Sequence, residues 1–351
     1  MTARQVTIED VARAAGVSRQ TVSNALNAPH RLRASTLTRV TAAIESLGYQ
    51  PDQSARSLRT GTRRVIGYPA PADDPANPNP LMGGFLEALV SAADAVDHRV
   101  LLFRSDPGQG AAAVAAAFTG MIASRQVDGF VLSDVVHDDP RVDCLAEQRF
   151  PFTAFGRTAP GRPQTWVDID SLAAVVGTVE TLLTQGHRRI CYLNSAVPLP
   201  WLADRRAGFL QAVTAAPDGG FEVSVPQDDP AALSLALRRL LTGPDRPTAL
   251  VCASDWLALA AYEAVRTVGL TVGTDIAVTG FNDIPLCTLL QPALTSVRLP
   301  LARIATALVE RLIVLVDTPG GTDRGPGVLL PAELVQRGSS TAGAGGAGGG
   351  D

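Results

Sequence analysis

The chain has 351 residues, 46% of them apolar and 18% charged, with a formal net charge of −4. That length exceeds a single helical core and predicts two or three domains, with enough apolar material to fill them. No charged-then-apolar leader opens the chain and no apolar run nears the roughly 18 residues of a bilayer span, so a soluble cytoplasmic protein with no membrane segment is expected. Charge is unevenly placed: residues 1–64 hold ten arginines against Glu9, Asp10, Glu45 and Asp52, a net of +6, and the remainder carries −10. A basic head would attract nucleic acid while an acidic body repels it, confining contact to the head. All thirty basic residues are arginine.

The first elements lie in TIEDVARAAGVSRQTVSNALN, residues 7–27. Ile8, Val11, Ala12 and Ala15 recur at helical spacing, and Thr7 with Asp10 forms a capping-box pattern that satisfies first-turn N–H groups. Gly16 ends this helix, Ser18 caps a second, and Val22, Ala25 and Leu26 give the second an apolar face. Arg19, Gln20, Thr21, Ser23 and Asn24 lie off that face, and these side-chain types donate to and accept from base edges in a major groove. The pair reads as a helix-turn-helix, against the alternative of a small helical hairpin with a solvated polar face. Residues 34–47 then predict a third helix with Leu37, Val40, Ala43, Ile44 and Leu47 inward and Gly48 closing it.

From Val65 onward, β-rich runs alternate with helical ones. Strands are predicted at 65–70, 99–103, 129–133, 152–155, 189–194, 222–225, 249–253 and 276–281, with helices near 82–96, 110–125, 171–185, 202–215, 230–242 and 256–267. Each helix is long enough to cross back over a sheet, which makes the architecture α/β with parallel strands in two tandem lobes. One more helix is expected at 300–316 and one more strand at 328–335, and the Gly/Ala-rich 338–351 reads as a disordered tail. Cys144, Cys191, Cys252 and Cys287 form no CxxC pair and His30, His98, His137 and His187 show no ligand spacing, so neither metal nor cofactor is expected. No nucleophile elbow, phosphate-binding P-loop or Cys/His pairing appears, which argues against an enzyme.

VTIEDVARAAGVSRQTVSNALN, GYQPDQSARSLRTG and the following VIGY resemble, densely and in order, the N-terminal part of the LacI/GalR family of bacterial transcriptional regulators. The likeness continues through GHRRICYL, RRAGF, CASDWLALAAYEAVRTVGL, DIAVTGFNDIP, PALTSVRLP and LVQRGS, nearly the whole chain. The resemblance implies a helix-turn-helix domain at 1–50, a hinge and linker at 51–64, and a two-lobed periplasmic-binding-protein-like domain at 65–337. It places lobe one at 65–162 and 293–319 and lobe two at 163–292 and 320–337. In the family the segment matching 51–61 becomes helical on operator DNA and the residue matching Leu58 wedges into the minor groove, an unstacking cost offset by a bend that brings more protein to phosphate. Ala55 and Arg59 flank that wedge; packing of Leu58 on its own domain is the alternative. The implied DNA-contacting set is Thr7, Ser18, Arg19, Gln20, Thr21, Ser23, Asn24, Asn27, Arg31, Ala55, Leu58 and Arg59. For Arg19, a guanine edge and a phosphate are both open.

Sheets of this kind place ligands beyond the carboxyl ends of their strands. By its place in RRAGF, Arg205 matches the family's arginine for effector hydroxyls or carboxylate, which the guanidinium fork suits; an exposed helix-start arginine is the alternative. Asp255, Asn282 and Asp170 follow strand ends, although Asp255 is equally suited to capping a helix. Ser254 departs from the asparagine common in the family, and Asn282 stands where aspartate is frequent. Trp201 and Trp256 could stack on a sugar face or belong to the lobe cores. In the first lobe only Asn79 and Pro80 match the customary loop, leaving its pocket residues unassigned. The function expected is a repressor that binds a near-palindromic operator as a homodimer, with a tetramer as alternative, and is controlled by a carbohydrate-like effector in the cleft. The competing readings are a DNA-binding protein of the same fold without small-molecule control, and a solute-binding protein of a transport system.

Overall fold

The computed structural model describes residues 6–49, 62–70, 80–105, 110–196, 199–214, 219–226, 229–318 and 325–341. It divides into two compact units, Met1–Arg64 and Val65–Asp351.

Among the described residues the first unit has three helices, α1 (Ile8–Ala15), α2 (Arg19–Asn27) and α3 (Ala34–Leu47), with a 3-10 turn at Pro29–Arg31. The Thr7 hydroxyl accepts the Asp10 N–H at 3.3 Å and the Asp10 carboxylate accepts the Thr7 N–H at 3.0 Å, so the capping box forms. Gly16 ends α1 at φ 61° and Gly48 ends α3 at φ 59°, left-handed conformations that favour glycine. Between them Val11, Ala12, Ala15, Val22, Val40 and Ala43 are buried, with Ile8, Ala25, Leu26, Ile44 and Leu47 packed around them. Leu37, expected inward, is half-buried and outside that cluster. The buried side chains of this core are all valine or alanine, so each cap, worth about 1 kcal/mol, is a sizeable share of the unit's stability.

The second unit carries two six-stranded sheets. The first takes β1 (Val65–Ala70), β2 (Arg99–Arg104), β3 (Gly129–Leu132), β4 (Phe152–Phe155), β5 (Thr165–Ile169) and β11 (Val328–Leu330), in the order β11-β5-β4-β3-β1-β2, all parallel. The second takes β6 (Ile190–Ser195), β7 (Gly220–Val225), β8 (Ala249–Cys252), β9 (Ala277–Asn282), β10 (Thr295–Arg298) and β12 (Glu333–Val335), in the order β12-β10-β9-β8-β6-β7. Only β12 there runs antiparallel. Helices α4 (Pro80–Asp94), α5 (Ala111–Ala123) and α6 (Pro140–Glu147) belong to the first lobe; α7 (Ser171–Thr184), α8 (Pro200–Val213), α9 (Pro230–Thr242) and α10 (Asp255–Thr267) belong to the second. The last helix, α11 (Leu301–Asp317), returns to pack on α4, β3, β4 and β5. The chain therefore crosses between lobes after β5, after β10 and after β11.

Four expectations change. Residues 165–169, assigned to the second lobe, form β5 and hydrogen-bond into the first sheet between β4 and β11. Residues 295–298, assigned to the first lobe, pair with β9 in the second. The single strand expected at 328–335 is two, in different sheets, because Pro331 has no N–H to donate and breaks the ladder. Residues 338–341, expected in the tail, are held against the second sheet: the Thr295 N–H donates to Ser339 Oγ at 2.8 Å, Ser339 Oγ donates to the Val278 carbonyl at 2.6 Å, and both Ser339 and Ser340 are buried. Residues 342–351 lie outside the described residues.

One close approach positions the site. A Cβ on Gly208 would stand 2.4 Å from the Leu172 carbonyl oxygen, so only glycine lets α8 lie against α7. This is the physical content of the RRAGF run, and it places Arg205 one turn earlier on the same helix.

Candidate nucleic-acid interface and ligand cleft

On the first unit, α2 presents Arg19 and Gln20 exposed, with Ser23 and Asn24 half-buried beside them. Gln20 Nε2 donates to Asn24 Oδ1 at 3.1 Å, which brings both amides to one patch of the helix. The Arg19 guanidinium lies 3.4 Å from the Glu9 carboxylate, both exposed, and such a pair holds by less than about 1 kcal/mol, so it yields readily to a phosphate or a base. Thr7 and Ser18 are the caps of α1 and α2, and the Thr21 hydroxyl sits 2.9 Å from Ser18 Oγ, so these three are engaged in holding the helices. Arg31 is exposed at the end of the 3-10 turn. Asn27 closes α2, but its side chain, like the hinge 51–61 with Ala55, Leu58 and Arg59, lies outside the described residues, as does Asn79.

On the second unit, a cleft open to solvent lies between the lobes. Its walls come from the carboxyl ends of strands in both sheets: Asp134 and Val135 follow β3, Phe155, Gly156 and Arg157 end β4, Asp168 and Ile169 end β5, Trp201 and Arg205 lie on the helix after β6, and Asn282 ends β9. Leu81, Met82 and Leu299 add apolar surface.

Arg205 is 4% exposed. Nη1 donates to the Ala253 carbonyl at 2.5 Å and Nη2 reaches Asn282 Oδ1 at 3.4 Å. Its guanidinium carbon lies 4.3 Å from the Trp201 ring centroid and 3.6 Å from that of Phe281. Burial pushes the Arg205 pKa down to about 10, which still leaves it a cation at neutral pH. Its Nε–H has no hydrogen-bond partner among the described residues. A buried donor without an acceptor costs about 1–3 kcal/mol, which a ligand oxygen would recover.

The second charged group of the cleft is Arg157. Its Nε donates to Asp168 Oδ2 at 2.9 Å, within the first lobe, and its Nη2 pairs with Asp204 on α8, in the second. The pair therefore spans the lobes, and α8, which carries Trp201 and Arg205 into the cleft, also carries Asp204 to the clasp. Burial pushes the Asp168 carboxyl up, opposed by the hydrogen bond from Arg157.

Of the six residues expected at the effector site, Arg205, Trp201 and Asn282 line the cleft and three do not. Asp170 caps α7, accepting the Ala173 N–H at 2.9 Å, because the chain has already left β5 and turned into the helix; Asp168, two residues earlier, is the carboxylate in the cleft. Asp255 is buried and accepts from Ser296 Oγ and the Ile284 N–H. Trp256 is half-buried in the first turn of α10, away from the cleft lining. Arg157 is legible in principle, since it lies two residues beyond the predicted strand 152–155. Asp168 is not, because its strand goes unrecognised.

Residues 7–52 match the model of bacterial regulatory proteins of the lacI family, and residues 179–340 match that of the periplasmic binding protein-like domain. The HTH-type transcriptional regulator AglR of Rhizobium meliloti (strain 1021) is 31% identical over 95% of this chain and 94% of its own. This chain belongs to the LacI family of bacterial regulatory proteins. As a member it is a DNA-binding transcriptional regulator, with a helix-turn-helix domain followed by a two-lobed periplasmic-binding-protein-like domain. Among solved structures, that of the lac repressor dimer bound to operator and the anti-inducer ONPF superposes with a TM-score of 0.76 at 26% identity, covering 97% of this chain and all of that one. A complex of the transcriptional regulator CelR with cellobiose superposes with a TM-score of 0.67 at 25% identity, covering 95% of this chain and all of that one. The matched relatives are transcriptional regulators rather than enzymes.

Proposed function

We propose that this LacI-family regulator is a repressor that binds a near-palindromic operator as a homodimer and is controlled by a neutral carbohydrate held between its lobes. In this reading α2 enters the major groove with Arg19, Gln20, Ser23 and Asn24 toward base edges. Thr7, Ser18, Thr21, Asn27 and Arg31 hold the helices or meet phosphates, and the hinge places Leu58 in the minor groove between Ala55 and Arg59. The relative solved on operator DNA supports the first half, and the relative solved with cellobiose supports the second. Among the described residues no helix is long and apolar enough to cross a membrane, and the protein works in the cytoplasm, where its DNA is.

The observation that carries the effector reading is Arg205, a buried cation against Trp201 and Phe281 that lines the cleft and keeps one donor without a partner among the described residues. The charges around it favour an uncharged ligand: Arg157 is already matched by Asp168 and Asp204, and the lining that holds Arg205 also holds the carboxylates of Asp134 and Asp168. Hydroxyls fit Arg205, Asn282 and Asp168, and Trp201 offers apolar contact to a sugar ring. Control requires the sugar to bind the operator-competent and released states with different free energies.

The test is calorimetric titration of the full-length protein with neutral sugars, sugar phosphates and nucleosides, followed by operator binding with each ligand found. A neutral sugar that shifts operator affinity is the expected result. Binding confined to phosphorylated ligands, or no ligand-dependent change in operator affinity, would overturn it.

A further inference from the structure

We infer that Asp255 is a positioning residue for the cleft: its buried carboxylate holds the turn Asn282–Ile284 in the shape that aims the Asn282 amide at Arg205. The inference rests on the reading of the cleft as the effector site.

Asp255 is the first residue of α10 and is 1% exposed. The cap of that helix is Ser254, whose hydroxyl accepts the Leu257 N–H at 3.3 Å, so Asp255 is released from capping duty. Its carboxylate reaches the other way. Oδ2 accepts the Ile284 N–H at 2.9 Å and Oδ1 accepts the Ser296 hydroxyl at 2.5 Å. Ser296 Oγ in turn accepts the Asp283 N–H at 3.0 Å, so two successive amides of the turn end on one network anchored at Asp255.

That turn needs an anchor. Asn282 has φ 118° and Asp283 has φ 52°, consecutive non-glycine residues in the left-handed half of backbone space, a state that persists only where the surroundings over-determine it. The Asp283 side chain is held separately, by Arg298 Nε at 2.7 Å and Arg337 Nη1 at 2.6 Å. Strand β9 is built around the buried carboxylate: a Cβ on Gly280 would stand 2.2 Å from Asp255 Oδ1.

Arg205 reads both ends of this arrangement. It donates to the carbonyl of Ala253, two residues before Asp255, and to the side chain of Asn282. Asp255 ties those two segments in register and acts on the ligand only through Asn282 and Arg205.

The test uses full-length protein and the variant Asp255→Asn, which keeps the shape but turns one acceptor into a donor facing a donor. In ligand-free protein, amide hydrogen exchange at Asp283 and Ile284 rises ten-fold or more in Asp255→Asn, and the Arg205 Nε–H resonance moves in both Asp255→Asn and Asn282→Ala. With cellobiose as the probe sugar, Asp255→Asn weakens binding about ten-fold, and adds nothing in an Asn282→Ala background. Unchanged exchange, an Arg205 resonance that moves in only one variant, unchanged sugar affinity beside raised exchange, or additive losses would each overturn the inference. Ser296→Ala replaces Asp255→Asn if the latter does not fold. If wild-type protein binds no sugar, the functional reading fails alone, and the exchange and Arg205 signals still decide the positioning role.

Discussion

Removing one carboxylate from the interlobe clasp should loosen the lobes without touching either core. Asp204→Asn leaves the Arg157–Asp168 pair within the first lobe and deletes only the contact that crosses to α8. The two side chains are 32% and 34% exposed, so the pair lies between the exposed case, worth at most about 1 kcal/mol, and the buried case, where losing one partner costs about 3–5. Screening by solvent brings the expected loss to about 1–2 kcal/mol, or roughly a 5- to 30-fold shift of the closure equilibrium toward open. Distances between dyes on the two lobes of ligand-free protein would report it, and 0.5 M salt should reproduce part of the shift in wild type but little in the variant. The same population of closed molecules in variant and wild type, at low and high salt alike, would refute the role given to this pair.

Other expectations follow from single contacts. Gly208→Ala forces a Cβ onto the Leu172 carbonyl and should cost about 1–3 kcal/mol, read as a lowered melting temperature of the second unit. Thr7→Ala removes the cap of α1 and should cost the first unit about 1 kcal/mol in denaturant unfolding, with Thr7→Ser recovering most of it. Arg19→Ala and Gln20→Ala should relax base preference in a selection from random duplexes more than they change the salt slope of binding; the reverse would move Arg19 to the phosphates. Burial depresses the His187 pKa below its usual 6.5, so the unfolded chain takes up a proton before the folded one does. Stability should accordingly be full above about pH 6.5 and fall as pH drops below it, and His187→Gln should flatten that part of a melting-temperature profile.

The three-helix head was almost wholly legible because its signals are local. Thr7 with Asp10, Gly16, Ser18 and Gly48 act within a few residues, and the structure uses each as its type suggests. The lobes were legible as alternating strands and helices, but two of their strands were not. TWVDI at 165–169 and TSVR at 295–298 are short, and what makes them strands is the pair of neighbours each finds, at 152–155 and 328–330 for one and at 277–282 and 333–335 for the other. Missing them misplaced the lobe boundaries. The site divided the same way. Arg205 is legible through its place in the RRAGF motif, and Trp201 and Asn282 because they follow recognised strands, whereas Asp255 looks like a ligand because a buried carboxylate after a strand has the same sequence signature whether it faces a cleft or a neighbouring turn.

Proline at 331 has an effect larger than one broken ladder. Three residues on one side of it edge the first sheet and three on the other edge the second, so ten ångströms or so of backbone are all that separate the outermost strands of bodies that must move against each other. A frameshift or protease cut near 327 would thus peel a border from each lobe in one stroke, and a loss of regulation caused by such a lesion would not reveal which lobe had failed first.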